Sequence, residues 1–319
     1  MAKVSICITA YQHGSFIAEC ISSVLMQETT HELEILIGED GSTDRTPEIC
    51  AEFARRDPRI QVITGFGRRK WKVDGHNTGR RNCFDLFARA TGKYLTLLDG
   101  DDGWIGRDKL QTQVDLLEHD RTLAGSYHHT RVVDQDGRVM GRMREELPSQ
   151  MDVLGTMAMR SPFHTSSFIW RNTPATRALI TDRRGRRAGS FDMYIFTSVA
   201  LQGPLRCIEG ELSFYRKHGA GITEKGLFHH SNIQRLRIMQ WLRFLREFDE
   251  TGRAAAIQLC DKHLHAVRGM AMSLRDKFLW LVAMASFPGY FLGDLRRVRL
   301  LLSSVLRAPR PAARPGDQR

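Results

Sequence analysis

The sequence predicts an α/β protein with a mostly parallel sheet flanked by helices, and three apolar runs carry that prediction. Val4 to Thr9 (VSICIT), Leu33 to Gly38 (LEILIG) and Tyr94 to Asp99 (YLTLLD) each have the length and predominantly apolar composition of a buried strand. Each runs into polar residues, and helical patterns lie between them. Strand, polar turn, helix, strand is the signature of parallel βαβ units. Open sheets of this kind bind ligands outside the carboxyl ends of their strands, so those polar ends are where chemistry is expected.

Taken in order, the first strand runs into Ala10, Tyr11, Gln12 and His13 before a helical pattern begins near Ser15. The second runs into Glu39, Asp40, Gly41, Ser42, Thr43 and Asp44, and a helix follows from about Thr46 to Arg56. Ile60 to Ile63 reads as a further strand. The basic, Gly-containing stretch from Gly65 to Gly79 reads as a mobile loop in which Arg68, Arg69 and Lys70 are solvated cations. A helix from about Asn77 to Ala90 is stopped at Gly92. The third strand then ends in YLTLLDGDDGW, which clusters Asp99, Asp101 and Asp102. Clustered carboxylates repel unless a cation lies among them, and hard divalent ions such as Mg²⁺ or Mn²⁺ prefer oxygen ligands. The cluster therefore points to a metal carrying a phosphorylated substrate, with a solvated acidic turn as the alternative on residue type alone. Lys109 to Leu117 places Leu110, Val114 and Leu117 on one helical face, and Leu123 to Val133 and Arg138 to Gly141 read as strands joined by the turn DQDG.

Composition bounds the rest. A chain of 319 residues with 42% apolar residues can bury a substantial core. The six cysteines, Cys7, Cys20, Cys50, Cys83, Cys207 and Cys260, lack disulfide or zinc spacing and read as reduced thiols. Met1 to Thr9 goes straight into strand, so a cytoplasmic location is expected. The net charge of +11 suits acidic partners. No nucleic acid is expected among them, because no helix-turn-helix, zinc-finger or RNA-binding signature is present.

From His229 onward the pattern becomes long, arginine-rich helices, with Ile238, Trp241, Leu242, Leu245 and Phe248 forming a packing stripe. Phe278 to Leu292 (FLWLVAMASFPGYFL) is apolar but too short, and interrupted by Pro288, for a membrane span. Beside Arg296, Arg297 and Arg299 it suits a peripheral contact with the cytoplasmic membrane face, a dimer interface or core packing. The expected organisation is a catalytic domain over 1–226, a helical region over 227–307 and a disordered Pro/Arg-rich tail over 308–319.

Three motifs, ITAYQH, GEDGSTDRT and LLDGDDGW, in that order and at these spacings, resemble the nucleotide-binding half of the family 2 glycosyltransferases of the GT-A fold. TSSFIWRN at Thr165 to Asn172 resembles the strand beneath the family's acceptor site, and FDMYIF followed by FYRKHGAGIT resembles its catalytic-base and carboxy-terminal histidine motifs. The resemblance covers roughly Lys3 to Thr223. It implies an inverting, metal-dependent transferase that moves a sugar from a UDP-sugar or other nucleotide-diphosphate sugar to a glycan or lipid-linked glycan acceptor, in bacterial envelope or exopolysaccharide synthesis. It further implies nucleotide-sugar contacts at Thr9, Ala10, Tyr11, Glu39, Arg81, Asp99 and Gly100, with Arg80 an equal candidate to Arg81. Asp101 of the D-x-D motif and His218 are the implied metal ligands, the histidine tilting the choice of ion toward Mn²⁺. Asp192 is the implied catalytic base. The family more often has Asp where this chain has Glu39, and an acid where it has Phe191. His128, His129, His229, His230, His263 and His265 lack partners at metal spacing and are assigned no role.

Two other readings compete. A nucleotidyltransferase shares acidic metal sites on an α/β plan but needs a Gly-rich phosphate loop, which ITAYQHGSF lacks. A non-catalytic nucleotide-sugar or glycan-binding protein needs no base, and retention of Asp101, Asp192 and His218 argues against it.

Overall fold

The computed structural model describes residues 1–65, 71–73, 76–159, 161–182, 185–186, 188–219, 230–245, 248, 250–268, 270 and 272–305. Arg68, Arg69, Lys70, His229 and the 308–319 tail lie outside the described residues. Contacts divide the chain into two compact units, Met1–Arg186 with Phe191–Lys225, and Arg187–Ser190 with Gly226–Arg319.

The first unit begins with β1 (Lys3–Ala10), α1 (Ile17–Leu25), β2 (Glu32–Glu39), α2 (Thr46–Arg56) and β3 (Ile60–Ile63). A short hairpin of β4 (Trp71–Val73) and β5 (His76–Thr78) leads into α3 (Arg80–Arg89), β6 (Tyr94–Asp99), β7 (Gly103–Trp104) and α4 (Lys109–His119). Then come β8 (Gly125–Val133), β9 (Val139–Arg142), β10 (Gln150–Met151), α5 (Val153–Ala158), β11 (Ile169–Arg171), α6 (Pro174–Ile180), α7 (Phe191–Ala200) and β12 (Leu205–Arg216). Ten strands form one sheet in the order β10-β12-β8-β11-β6-β1-β2-β3, with β7 beside β12 and β9 beside β8. The run β3-β2-β1-β6 is parallel, β11 is antiparallel to both its neighbours, and β12 is parallel to β8.

The chain builds outward from β1 through β2 to β3, then crosses back to place β6 on the other side of β1. That reversal opens a crevice at the carboxyl ends of β1 and β6, where Thr9 lies opposite Asp99. Val4, Ile6, Ile8, Ile35, Ile37 and Leu98 are fully buried below it, together with Ile17, Ile21 and Val24 of α1. Burying one such side chain contributes about 1.5–3 kcal/mol, which holds the strand ends at fixed positions.

Several local expectations shift. The first helix starts at Ile17, not near Ser15, because the amides of Phe16 and Ile17 close a turn on the His13 carbonyl and Gly14 N–H donates to Asp44. The third helix starts at Arg80, not Asn77, and the described part of the supposed loop from 65 to 79 is the β4–β5 hairpin. Trp71 anchors it, lying edge-on to Phe84 at 5.0 Å and under the Arg186 guanidinium at 4.3 Å. Thr165–Ser167 forms a turn of 3-10 helix, so that strand shortens to Ile169–Arg171.

Gly38 is fixed by close approach. A Cβ there would lie 1.7 Å from Oδ1 of Asn82, whose Nδ2 donates to the Gly38 carbonyl at 2.6 Å. Gly38→Ala is therefore expected to push α3 off β2 and to cost about 1–3 kcal/mol, read as a lower midpoint in urea denaturation.

In the second unit α8 (His230–Phe244), α9 (Glu250–His265), α10 (Leu274–Ser286), α11 (Pro288–Leu292) and α12 (Leu295–Val305) pack on one another, α8 against α9 and α10, and α9 against α12. Ile238, Trp241, Leu242 and Phe248 are buried, as the stripe required. The apolar run divides: Trp280, Tyr290 and Phe291 are buried while Phe278 and Leu281 are exposed. Among the described residues no helix is long and apolar enough to cross a membrane.

Candidate active site

Thr9 at the end of β1 donates through Oγ1 to Oδ1 of Asp99 at 2.5 Å, tying the two strand ends together. The next residue, Gly100, donates its amide to the Thr9 carbonyl at 2.8 Å, and a Cβ there would come within 2.8 Å of His13 Nδ1. Only glycine lets the chain turn so close to β1. The turn delivers Asp101, whose Oδ2 lies 2.9 Å from Nε2 of His218 and 3.6 Å from Nε2 of His13. Phe16 packs against the His218 ring at a centroid distance of 4.9 Å. Asp102 points inward: it is buried, accepts from the Arg216 amide at 2.9 Å, and lies 3.7 Å from Nδ1 of His164.

Arg216, at the end of β12, braces this turn. Its buried guanidinium donates to the carbonyls of Asp101, Asp134 and Gln135 and to the Glu19 carboxylate. Hydrogen bonds from a charged donor contribute about 1.5–3 kcal/mol. Arg216→Met should therefore lower stability by about that much and loosen Asp101 against His218, measurable as reduced protection of the 100–104 amides in hydrogen exchange.

On the other side of β1, Glu39 pairs in register with Ala10 and is buried. Its carboxylate accepts from the amides of Gly41 at 3.1 Å and Ser42 at 2.6 Å, which shapes the turn after β2. Gln12 also reaches that turn, accepting from Thr43 N at 2.8 Å. Ala10 is buried and Tyr11 is about half exposed at the mouth of the crevice. Arg81 lies 3.4 Å from Asp85 along its own helix. Its neighbour Arg80 turns inward, donating to the Arg186 carbonyl at 3.2 Å and lying 5.8 Å from the Phe191 ring centre.

Asp192 stands in the first turn of α7. Phe191 fills the position where an acid was looked for, and its ring stacks on Phe84 at 5.5 Å, which pins the start of α7. Asp192 is open to solvent but closely surrounded by protein. That partial loss of hydration raises its pKa above the ordinary carboxylate range, against the pull of Arg80.

The carboxylates strain one another. Burial, then the Asp101 charge, push Asp99 up to about 7, despite the Thr9 hydrogen bond. The same two causes push Asp102 well above the usual range. Burial also lowers His13, and brings His164 to about 4. Such a cluster favours a cation. Among the described residues no three carboxylate, imidazole or thiol groups converge on one point. Asp101 and His218 supply two donors, which suits an ion that takes its other ligands from phosphate oxygens and water.

Residues 5–178 match the model of glycosyl transferase family 2. The chain belongs to that family. An uncharacterized protein of Mycobacterium tuberculosis (strain H37Rv) is 26% identical over 314 residues, covering 96% of this chain and 81% of that protein. The chondroitin synthase of Escherichia coli is 33% identical over 155 residues, 46% of this chain but 21% of the synthase. Among solved structures, S. aureus TarS in complex with UDP-GlcNAc superposes with a TM-score of 0.65 at 17% identity, covering 93% of this chain and 83% of that one. The fold is thus GT-A, the chain is a glycosyltransferase, and the nucleotidyltransferase and non-catalytic readings fall away.

Within this glycosyltransferase, the structure brings Thr9, Ala10, Asp99, Gly100, Asp101 and His218 together around the carboxyl ends of β1 and β6. Glu39 joins them through its register with Ala10, while Arg81 pairs along α3. The sequence reading left His13, His164 and Arg216 without roles. His13 and Arg216 lie inside the quoted motifs ITAYQH and FYRKHG, so the motif itself was the available signal. Nothing in the sequence marked His164.

Proposed function

We propose that this glycosyltransferase is metal-dependent and inverting, and moves a sugar from a UDP-sugar or other nucleotide-diphosphate sugar to a hydroxyl of a glycan or lipid-linked glycan acceptor. The observation that carries the reading is the 2.9 Å approach of Asp101 and His218 beside the Thr9–Asp99 pair, at the point where strand order reverses. Tyr11 and Thr9 take the base and ribose. Glu39 uses two acceptor sites on its own loop and retains others for the base edge. Asp99 meets the ribose, and Arg81 or the inward Arg80 faces the phosphates. Asp101 and His218 hold the cation, Mn²⁺ suiting an imidazole ligand better than Mg²⁺. When bound, that ion neutralises the charge that builds on the departing diphosphate.

Asp192 accepts the proton of the acceptor hydroxyl as its oxygen attacks the anomeric carbon. The bond from that carbon to the diphosphate oxygen breaks on the opposite face, and the nucleoside diphosphate leaves with the electron pair. Displacement in one step inverts the anomeric centre. The pKa raised by burial, against the pull of Arg80, makes the ionised Asp192 a stronger base than an ordinary carboxylate. The likeness to chondroitin synthase supports polysaccharide synthesis, and we place the work in bacterial envelope or exopolysaccharide assembly on the cytoplasmic membrane face.

A panel of UDP- and GDP-sugars, with and without Mn²⁺, tests the reading by thermal shift. A ligand at about 100 times its Kd stabilises the native state by about 2.7 kcal/mol. One nucleotide sugar is expected to raise Tm, and more so with the metal. No shift with any of them, or a shift indifferent to Mn²⁺, would remove the metal-bound donor from this site.

A further inference from the structure

The second unit carries a basic cleft and an apolar face that sugar transfer leaves unused. The cleft, about 500 Å³, is lined by α9, α12 and the turn before α12. Two of its arginines are neutralised: Arg297 is bidentate to Asp261 at 2.7 and 3.0 Å, and Arg296 pairs with Asp294 at 3.0 Å. Arg268 and Arg299, on the same walls, have no carboxylate partner among the described residues, and both are exposed. A cleft with two uncommitted guanidinium groups suits a phosphate.

The apolar face adjoins the cleft in sequence. On α10, Leu274, Phe278, Leu281 and Val282 are all exposed, Phe278 by 64%, and their spacing places them on one stripe. Leu292 and Leu295, next to Asp294 and Arg296 in the chain, are exposed as well, Leu295 by 68%. Trp280, Ala283, Tyr290 and Phe291 are buried, so the unit's own core already has its apolar partners and the stripe is surplus to it. Arg275 and Lys277 flank the stripe on the same helix.

We infer that this face docks on an anionic lipid surface, with the α10 stripe at the acyl boundary and the phosphate of a lipid headgroup held by Arg268 and Arg299. Charge complementarity selects this occupant. The cleft walls carry four arginines against two aspartates, and a second copy docked through the same face would bring two net-positive patches together. An amphipathic helix with cations beside its apolar face has the form that lies in a membrane interface. The inference deepens the reading of a lipid-linked acceptor and rests on it for its purpose, although its binding test is separate.

The test is co-sedimentation of the full chain with vesicles of phosphatidylcholine alone or with added phosphatidylglycerol. Strong sedimentation is expected on the anionic vesicles at low salt and little on the neutral ones. Each cation near such a surface strengthens binding about fivefold, so Arg268→Gln with Arg299→Gln should weaken partition about thirtyfold. Phe278→Ser with Leu281→Ser should weaken it separately, and millimolar inorganic phosphate should not displace the protein. A chain that stays in the supernatant overturns the inference. So does equal sedimentation of the arginine variant, release by inorganic phosphate, or a dimer in solution that Phe278→Ser dissolves while vesicles bind nothing. UDP titration with Mn²⁺ on the same variants keeps the two proposals apart: unchanged nucleotide affinity with lost vesicle binding is the expected result. Absent nucleotide affinity in the unaltered chain would sink the donor reading alone.

Discussion

Asp192→Asn should leave the enzyme folded and able to bind its donor while turnover falls by roughly 100- to 10,000-fold, the usual cost of losing a general base. The amide keeps the shape of the carboxylate at the start of α7 and its setting beside Phe191 and Arg80. It cannot accept a proton from the acceptor hydroxyl. Tm and the calorimetric Kd for the nucleoside diphosphate should therefore stay near those of the unaltered chain, with the loss confined to kcat. The pH profile adds a second readout. A base with a raised pKa loses activity as pH falls through that value, so the acid limb of kcat should lie above the ordinary carboxylate range and vanish in the variant. A variant that turns over at the normal rate would move the base to another residue.

Asp101→Ala should abolish the metal-dependent part of nucleotide binding. The side chain faces both His218 and His13, and its loss takes away half of the two-donor set. Calorimetry with UDP or GDP is expected to show Mn²⁺-enhanced affinity in the unaltered chain and none of that enhancement in the variant. Asp102→Asn offers the contrast. Asp102 is turned toward the Arg216 amide and His164, and an Asn oxygen can still accept from that amide, so its replacement should leave the metal enhancement in place. If Asp101→Ala kept the full enhancement, the cation would have to bind elsewhere.

Much of the strand plan was legible because the signal was local. A run such as VSICIT, β-branched and bounded by turn residues, reads as an interior strand, and helices between such runs favour parallel strands. Motif order then identified the family, since each motif reports a strand end and strand ends converge in this class of sheet. The hairpin at 71–78 was hidden for the opposite reason. Its pairing is short, and it is held by Trp71 against Phe84 and Arg186, residues 13 and 115 positions away. Phe191 looked like a departure from the family pattern, and packing explains it: the ring stacks on Phe84 and sets the height of Asp192.

By itself the sequence determined the parallel core, the order of the three motifs and the acidic turn at 99–102, because periodicity and residue type act over a few neighbours. Only the tertiary structure decided how the three aspartates divide their work. Asp99 bonds across to Thr9, Asp101 turns out to His218, and Asp102 turns in to Arg216, although the three stand within four consecutive residues. It likewise decided that Arg80 and not Arg81 faces inward, and that the apolar run from 278 to 292 splits into a buried and an exposed face. The physical reason is that the choices at Asp99, Asp101, Asp102 and Arg80 are made by partners 90 to 117 residues away along the chain, whose positions are set by the packed fold and not by any local preference of the residues that meet them.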